Sequence, residues 1–278
     1  MTSRLATPPS GGAVGAPGRL EWDLGSPMNR RFRSALLALA GCALVPVGCE
    51  DAGTSDPSVS CGDAADEPPA DLACTGLYAD LRTKTIAKDA RFYAPAFALW
   101  SDGYEKSRYL SLPEGAKIDA TAVDDWSFPA GTKVWKEFRL GDRKIETRFF
   151  WKVTPDRWVQ AAYVWTEDGA RAIRGEGKAL TIDGKPYAVP SNGECNDCHR
   201  GRKDKLLGVE ALSLAQPSTA GLTLAALVAE GRLAPPPART TTSLPHPGLG
   251  VLHVNCGVSC HNPTPGATGY GSKLHLRL

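Results

Sequence analysis

The sequence predicts an α+β protein in which an N-terminal antiparallel, sandwich-like β domain is followed by a small, mainly helical domain. Of the 21 aromatic residues in this 278-residue chain, 17 lie between Phe92 and Tyr187. From Pro190 onward aromatic residues become rare, and segments rich in Ala and Leu with helical spacing replace them. This change in composition sets the expected boundary, with the β-rich domain at residues 74–189 and the helical domain at residues 190–278.

Residues 28–49 have the pattern of an export signal. A basic stretch from Met28 to Arg33 is followed by an apolar stretch from Ser34 to Gly48, as in secretory signal peptides. A buried core helix is the alternative, but the glycines and the proline within the apolar stretch disfavour a long helix. Residues 1–27 precede a complete signal, so we expect them to be an over-extended gene start that takes no part in the fold.

Two cysteines compete for the end of this signal, which resembles that of bacterial lipoproteins. Cys42 follows the better cleavage motif, whereas Cys49 leaves an apolar stretch of better length and precedes a polar segment. We favour Cys49 as the lipid-modified residue, with Cys42 as the alternative. The expected location is the cell envelope or periplasm, with the chain held on a membrane by an N-terminal lipid anchor, which needs at least two acyl chains for stable attachment.

Residues 50–73 are predicted to be an acidic flexible linker, because they contain Ser, Gly and Pro without apolar periodicity. Cys61 and Cys74 lie in or beside it. In an oxidising compartment we expect a disulfide between them, and two free thiols are the alternative.

Nucleic acid is not an expected partner. The formal net charge is +2, but residues 1–49 contribute five of the 32 basic and two of the 30 acidic residues, which leaves 27 basic and 28 acidic residues in the remainder. A nucleic-acid-binding protein is expected to present a basic face.

Three segments in the β-rich region are predicted to be strands, because aromatic and β-branched residues are frequent in them. They are residues 132–140, 144–153 and 158–165. In the second segment Ile, Thr, Phe, Trp and Val occupy every second position from 145 to 153, the periodicity of a strand. Turn-forming pairs at 141–142 and 155–156 separate the segments and predict an antiparallel meander. An aromatic surface can bind carbohydrate, but alternating aromatics on strands are more often core, and we favour the core.

Two helices are predicted after residue 190, at Leu206–Ala215 and Leu222–Glu230, from their apolar spacing and their Ala and Leu content. Gly231 is expected to end the second helix, and the three prolines at 235–237 are expected to form a rigid spacer.

The strongest chemical signal is Cys195-Asn196-Asp197-Cys198-His199, the C-x-x-C-H pattern of covalent c-type haem attachment. Two thiols three positions apart can reach the two vinyl groups of one porphyrin, and the adjacent imidazole can then bind the iron. A zinc site would need two further ligands, and a thioredoxin-type redox pair would need a βαβ setting, which the pattern of elements does not provide.

A second motif has the same residues with one extra position between its cysteines: Cys256, Cys260 and His261. The wider gap must bulge for both sulfurs to reach one porphyrin, and Gly257 would permit the bulge. A local Cys256–Cys260 disulfide and a structural loop are the alternatives. We expect a second haem c here, with His261 as its axial ligand and His199 as that of the first.

The small numbers of methionine and histidine residues limit the choice of the sixth iron ligand. The two methionines, Met1 and Met28, are both absent from the expected mature chain, which excludes His/Met ligation. The candidates are His246, His253 and His275, with a lysine or an open position as alternatives. His253 is expected to lie beside its own haem, whereas His246, between two prolines, can reach further; each is otherwise a surface histidine.

With these motifs the chain resembles a family of exported bacterial haem-c proteins, often lipoproteins, that join an N-terminal β domain to a C-terminal cytochrome c-like part. The resemblance spans residues 74–278 and implies haem carriage and electron transfer by the two cysteine motifs. The last residues, 274–278, look like the start of a strand, so a truncated gene product is expected. The matching runs are Leu-Trp-Ser-Asp-Gly (99–103), Glu-Lys-Ser-Arg-Tyr (105–109), Phe-Pro-Ala-Gly-Thr-Lys-Val-Trp-Lys-Glu-Phe (128–138), Glu-Thr-Arg (146–148), Tyr-Val-Trp (163–165), Val-Pro-Ser (189–191), Leu-His-Val-Asn-Cys (252–256) and Cys-His-Asn (260–262).

The sequence therefore favours an envelope-anchored c-type cytochrome with one or two haems that transfers electrons to a redox partner protein. A di-haem peroxidase-like enzyme is the first alternative; it needs an open sixth iron position with acid–base groups above it. A surface glycan-binding lipoprotein with an accessory haem domain is the second. No catalytic residue is assigned.

Overall fold

The structure is a computed structural model that describes residues 59, 61–62, 66–100 and 103–278. The export signal, both candidate lipidation sites Cys42 and Cys49, and residues 1–27 lie outside the described residues. Ser55–Leu278 is one compact unit. Within the described residues, no helix is both long enough and apolar enough to cross a membrane.

The described part of the chain contains thirteen strands, four short α-helices, one π-helical turn and two 3₁₀ turns. The strands are β1 (Tyr78–Asp80), β2 (Thr85–Ile86), β3 (Arg91–Ala94), β4 (Glu105–Ser111), β5 (Ile118–Asp119), β6 (Lys133–Leu140), β7 (Arg143–Thr154), β8 (Arg157–Trp165), β9 (Ala172–Arg174), β10 (Ala179–Ile182), β11 (Lys185–Ala188), β12 (Ala220–Gly221) and β13 (Leu233–Ala234). The α-helices are α1 (Asn192–His199), α2 (Ala211–Leu214), α3 (Leu224–Ala229) and α4 (Pro247–Leu252); the π turn is His253–Gly257, and the 3₁₀ turns are Leu72–Thr75 and Tyr270–Ser272.

A seven-stranded sheet with the order β12-β3-β4-β6-β7-β8-β9 forms the centre of the unit, and every neighbouring pair in it is antiparallel. The predicted meander is confirmed as β6, β7 and β8. The turn between β6 and β7 contains Gly141, whose φ of +56° lies in the left-handed region that glycine adopts without strain.

Both faces of the sheet are covered by other segments and not by a second large sheet. The architecture therefore differs from the predicted sandwich-like domain. On one face Trp135, Phe149 and Tyr163 pack with residues of the 72–90 segment. On the other face Val134 and Phe150 share a core with residues 206–233. The α+β class and the β-rich part are confirmed. A small, mainly helical C-terminal domain is not shown, because residues 206–233 share their core with the sheet and the helices after residue 190 are short.

The charged face of β7 is therefore an inner face. Glu146 and Lys152, which alternate with the aromatic residues of this strand, are 0% and 3% exposed. Buried charges need partners, and Lys152 has one: its ammonium lies 2.6 Å from a carboxylate oxygen of Asp204, on the loop that follows α1.

Of the two predicted helices, the second is confirmed as α3. Thr223 caps it by accepting a hydrogen bond from the amide of Ala226, and Gly231, with φ of +64°, follows its end. The first prediction, Leu206–Ala215, is wrong over most of its length, since only Ala211–Leu214 is helical. Lys205 and Gly208 have φ of +55° and +79°, which breaks the helix, and the apolar spacing reflects burial against the sheet instead.

Cys61 and Cys74 form the predicted disulfide, with their Cα atoms 5.4 Å apart. It joins the middle of the predicted linker to the 3₁₀ turn Leu72–Thr75, which packs on the sheet.

Candidate functional site

The first cysteine motif lies on α1, which directly follows the last strand of the β-rich region. Ser191 and Glu194 form a capping box at its start: the Ser191 side chain accepts from the Glu194 amide, and the Glu194 carboxylate accepts from the Ser191 amide. Cys195 and Cys198 are three positions apart on this helix and therefore lie on one face. Cys195 is half-buried against the core, and Cys198 is exposed.

His199 is held in one orientation by its surroundings. Its Nδ1 hydrogen-bonds to the carbonyl oxygen of Lys205, and its ring packs on Phe150 with the ring centroids 4.6 Å apart. A carbonyl can only accept, so Nδ1 carries the proton, and Nε2 keeps its lone pair. Burial lowers the pKa of His199 to about 4, so the ring is neutral at pH 7. In metal sites, a hydrogen bond from the other ring nitrogen to a carbonyl orients a histidine ligand toward the metal in the same way.

A cavity of about 210 Å³ lies between the sheet and the segments that carry the two motifs. Cys198 and His199 line it from the first motif, and Cys260 lines it from the second. The sheet contributes apolar residues, including Val134 and Phe150, and three basic residues, Arg108, Lys136 and Arg148. Trp100, which is 79% exposed, lies at its rim.

The two motif segments pack against each other beside this cavity. A Cβ on Gly201 would lie 1.9 Å from the carbonyl oxygen of Ser259, so the backbones meet at a point that only glycine permits. Thr268 bridges the segments as well, since its hydroxyl accepts from Arg200 and donates to the carbonyl of Asp197. The structure thus brings together two motifs that are about sixty residues apart in the sequence.

The second motif begins in a π-helical turn at His253–Gly257, which continues directly from α4. The amide of Val258 donates to the carbonyl of His253, and the amide of His261 donates to that of Cys256, both across five residues. A π turn holds one residue more than an α turn, and this one ends at Gly257, the first of the three residues between Cys256 and Cys260. The amide of Cys260 also donates to the carbonyl of Cys256, as in an α-helix.

Gly257 is required by this geometry, because a Cβ there would lie 2.4 Å from the carbonyl oxygen of Leu276. His261 is half-buried and lies 3.4 Å from the hydroxyl of Ser272 through its Nδ1. Cys256 and His261 are not among the residues described as lining the cavity. The second motif therefore reaches the shared cavity through Ser259 and Cys260.

The three histidines predicted as candidate sixth ligands lie elsewhere, and none is among the described residues that line the cavity. His246 is exposed and caps α4 by accepting from the amide of Gly248. His275 is exposed. His253 is 0% exposed; its Nδ1 accepts from the amide of Leu278, and its Nε2 lies 3.9 Å from Glu210.

The basic residues of the cavity are the part of the site that the sequence did not reveal. The alternation of charged and apolar residues in β4, β6 and β7 was a signal for them, but only strand pairing shows that they are neighbours. Arg108 pairs with Lys136, and Lys136 pairs with Arg148, in the register of the three strands. We call these three residues the basic row.

Among the residues that the structure describes, no group of three or more His, Cys, Asp or Glu side chains is placed to hold a metal ion. Searches for similar proteins found no matching family model, curated protein or solved structure.

Proposed function

We propose that this chain is an exported, envelope-anchored c-type cytochrome that carries one or two covalent haems and transfers electrons to a redox partner protein. The observation that carries the proposal is His199: a neutral imidazole that follows two cysteines on one helical face, with Nδ1 engaged by a carbonyl and its ring in a cavity wall. The unprotonated Nε2 suits an iron ligand.

The residues present fit a haem at the first motif. Cys195 and Cys198 would form the thioethers, His199 would bind the iron, and Val134 and Phe150 offer an apolar wall. The bound haem supplies reversible one-electron chemistry. The cavity volume of about 210 Å³ is below the ~300 Å³ at the lower end of sites that enclose a drug-sized ligand. A haem held by these residues would therefore not be fully enclosed by the cavity, at whose rim Trp100 is exposed.

A second haem at Cys256, Cys260 and His261 is part of the proposal, and residues 190–278 then act as its cytochrome c-like, haem-binding part. The π turn that contains Cys256 supports it, because a π turn holds one residue more than an α turn. The lipid anchor at Cys49 or Cys42, and with it the location in the envelope, is proposed from the export signal of the sequence.

Haem counting on the full-length chain tests the proposal. Heme staining after denaturing electrophoresis, together with a pyridine haemochrome spectrum, measures the covalent haem per chain. The double variant Cys195→Ala/Cys198→Ala is expected to lose one haem, and Cys256→Ala/Cys260→Ala the other. Asp197→Asn, which changes an exposed residue between the first two cysteines, is the matched control and keeps the wild-type count. Unchanged haem in Cys195→Ala/Cys198→Ala contradicts the proposal.

A further inference from the structure

The basic row places three cations side by side on one face of the sheet. Neighbouring strands lie about 4.8 Å apart, and residues directly opposite each other in the ladder project from the same face. Like charges in such positions repel each other. The row would therefore destabilise the fold unless anions offset its charge.

One member of the basic row, Arg148, is paired with a carboxylate. Arg148 donates two hydrogen bonds to Glu146, at 2.6 and 3.2 Å, and Glu146 also accepts from the hydroxyl of Tyr187. Burial disfavours the charged form of Arg148, but the contacts with Glu146 outweigh this effect and raise the pKa of Arg148.

Among the described residues, neither of the other two members, Arg108 and Lys136, forms an ion pair or a hydrogen bond with a carboxylate. Arg108 is 8% exposed, and Tyr93 is the group that favours its charge. The Lys136 ammonium lies 4.7 Å from the ring centroid of Phe138. Burial lowers the pKa of both residues; Arg108, Arg148 and Lys106 lower that of Lys136 further, and Glu146 offsets part of this shift. Arg108 and Lys136 thus lie in the cavity wall without a counter-charge at ion-pair distance, which disfavours their charged forms.

The basic row runs away from the first motif. Arg148, the paired member, lies on β7, the strand whose Phe150 packs on the ring of His199, so it lies on the side of the row where the thioethers would form. Lys136 lies one strand further from that side, and Arg108 two strands further. The two carboxylates of a haem leave the porphyrin at the edge opposite its vinyl groups. They would therefore meet the two unpaired cations.

We infer that Arg108 and Lys136 bind the two propionate carboxylates of the haem attached at Cys195 and Cys198. This inference rests on the proposed function. Arg108 offers the planar fork of donors that pairs with a carboxylate, and Lys136 offers a compact charge. A free dicarboxylate has the same chemistry, and the experiment below separates the two sources.

The test is a redox titration of the haem-loaded protein at several pH values. In Arg108→Gln and Lys136→Gln the midpoint potential is expected to fall, because positive charge beside the haem favours ferrous iron. The pH range over which the potential changes is expected to move upward, because a carboxylate without its cation has a higher pKa. Lys133→Gln, on β6 with its ammonium bound to the carbonyl of Thr75 on the other side of the sheet, is the control.

Two results overturn the inference while the proposed function stands. One is a haem-loaded Arg108→Gln protein whose potential and pH profile equal those of the wild type. The other is calorimetric binding of succinate to the haem-loaded wild type that is lost in Arg108→Gln, since the row would then serve a free dicarboxylate. Lys136→Met, which keeps the length of a half-buried side chain, repeats the titration if Arg108→Gln does not fold. A wild-type chain that carries no covalent haem would contradict the proposed function itself.

Discussion

The Nδ1 atom of His199 hydrogen-bonds to the backbone carbonyl of Lys205, six residues further along the chain. That carbonyl reaches the ring because the chain turns back at Lys205, whose φ of +55° lies in the left-handed region. The Lys205 ammonium also donates to the side chain of Asn196, inside the first motif. A short turn in an uncommon conformation thus sets the orientation of the proposed iron ligand.

Substitutions at Lys205 should separate backbone conformation from side-chain contact. Proline cannot adopt φ of +55°, so Lys205→Pro is expected to lower the free energy of unfolding by more than about 1 kcal/mol. Lys205→Gly, which accepts this conformation, should remain within about 1 kcal/mol of the wild type. Denaturant unfolding followed by circular dichroism measures both, and equal stabilities would contradict the role of the turn.

The buried pair of Lys152 and Asp204 should be sensitive to the loss of either partner. Their side chains are 4% and 7% exposed, and Asp204 also accepts from the indole of Trp158. Asp204→Ala leaves a buried cation unpaired, and the expected loss of stability is about 3–5 kcal/mol. The control is Arg82→Ala, which breaks an exposed pair with Asp80 and should change stability by less than about 1 kcal/mol. Similar effects of the two variants in urea unfolding would argue against a buried, paired Asp204.

His253 should make stability depend on pH. Burial lowers its pKa in the folded state, while in the unfolded chain the pKa is about 6.5. The unfolded state therefore binds the proton first, so the contribution of this residue is present above about pH 6.5 and is lost as the pH falls below it.

The comparison that checks this is urea unfolding at about pH 7.5 and about pH 5. His253→Gln is expected to show a smaller loss of stability between the two values than the wild type. His246→Gln, at an exposed histidine, should keep the wild-type loss. If His253→Gln loses as much stability as the wild type between the two pH values, the pKa of His253 is not lowered in the folded state.

Gly257 should tolerate no side chain. In Gly257→Ala the new methyl group would meet the backbone at Leu276, and overpacking of this kind costs about 1–3 kcal/mol. Because the π turn would shift, haem content at Cys256 and Cys260 should fall as well. Gly271→Ala places its methyl group in open space and is the control. Thermal unfolding and haem counting on both variants give the result, and a stable, fully loaded Gly257→Ala protein would contradict it.

Features that depend on residues close together in the chain could be predicted from the sequence. The alternation in β7, the turns that flank it and the glycine after α3 each depend on residues a few positions apart, and the structure has them where they were predicted. The helix predicted to begin at Leu206 does not form over most of its length, because the apolar residues there are spaced to pack against the sheet. The basic row needed the pairing of three strands, which no single stretch of sequence contains.

Strand β12 is two residues long, yet it forms one edge of the central sheet by pairing with β3. It comes from the chain after the first cysteine motif, and a Cβ on Gly221 would lie 2.3 Å from the carbonyl oxygen of Phe92. A fragment that stops at residue 199 would expose β3 as a bare edge and would leave half of a hydrophobic core facing water, both of which promote aggregation. The sheet and one of its two covering cores are therefore completed only when the C-terminal third of the chain is present.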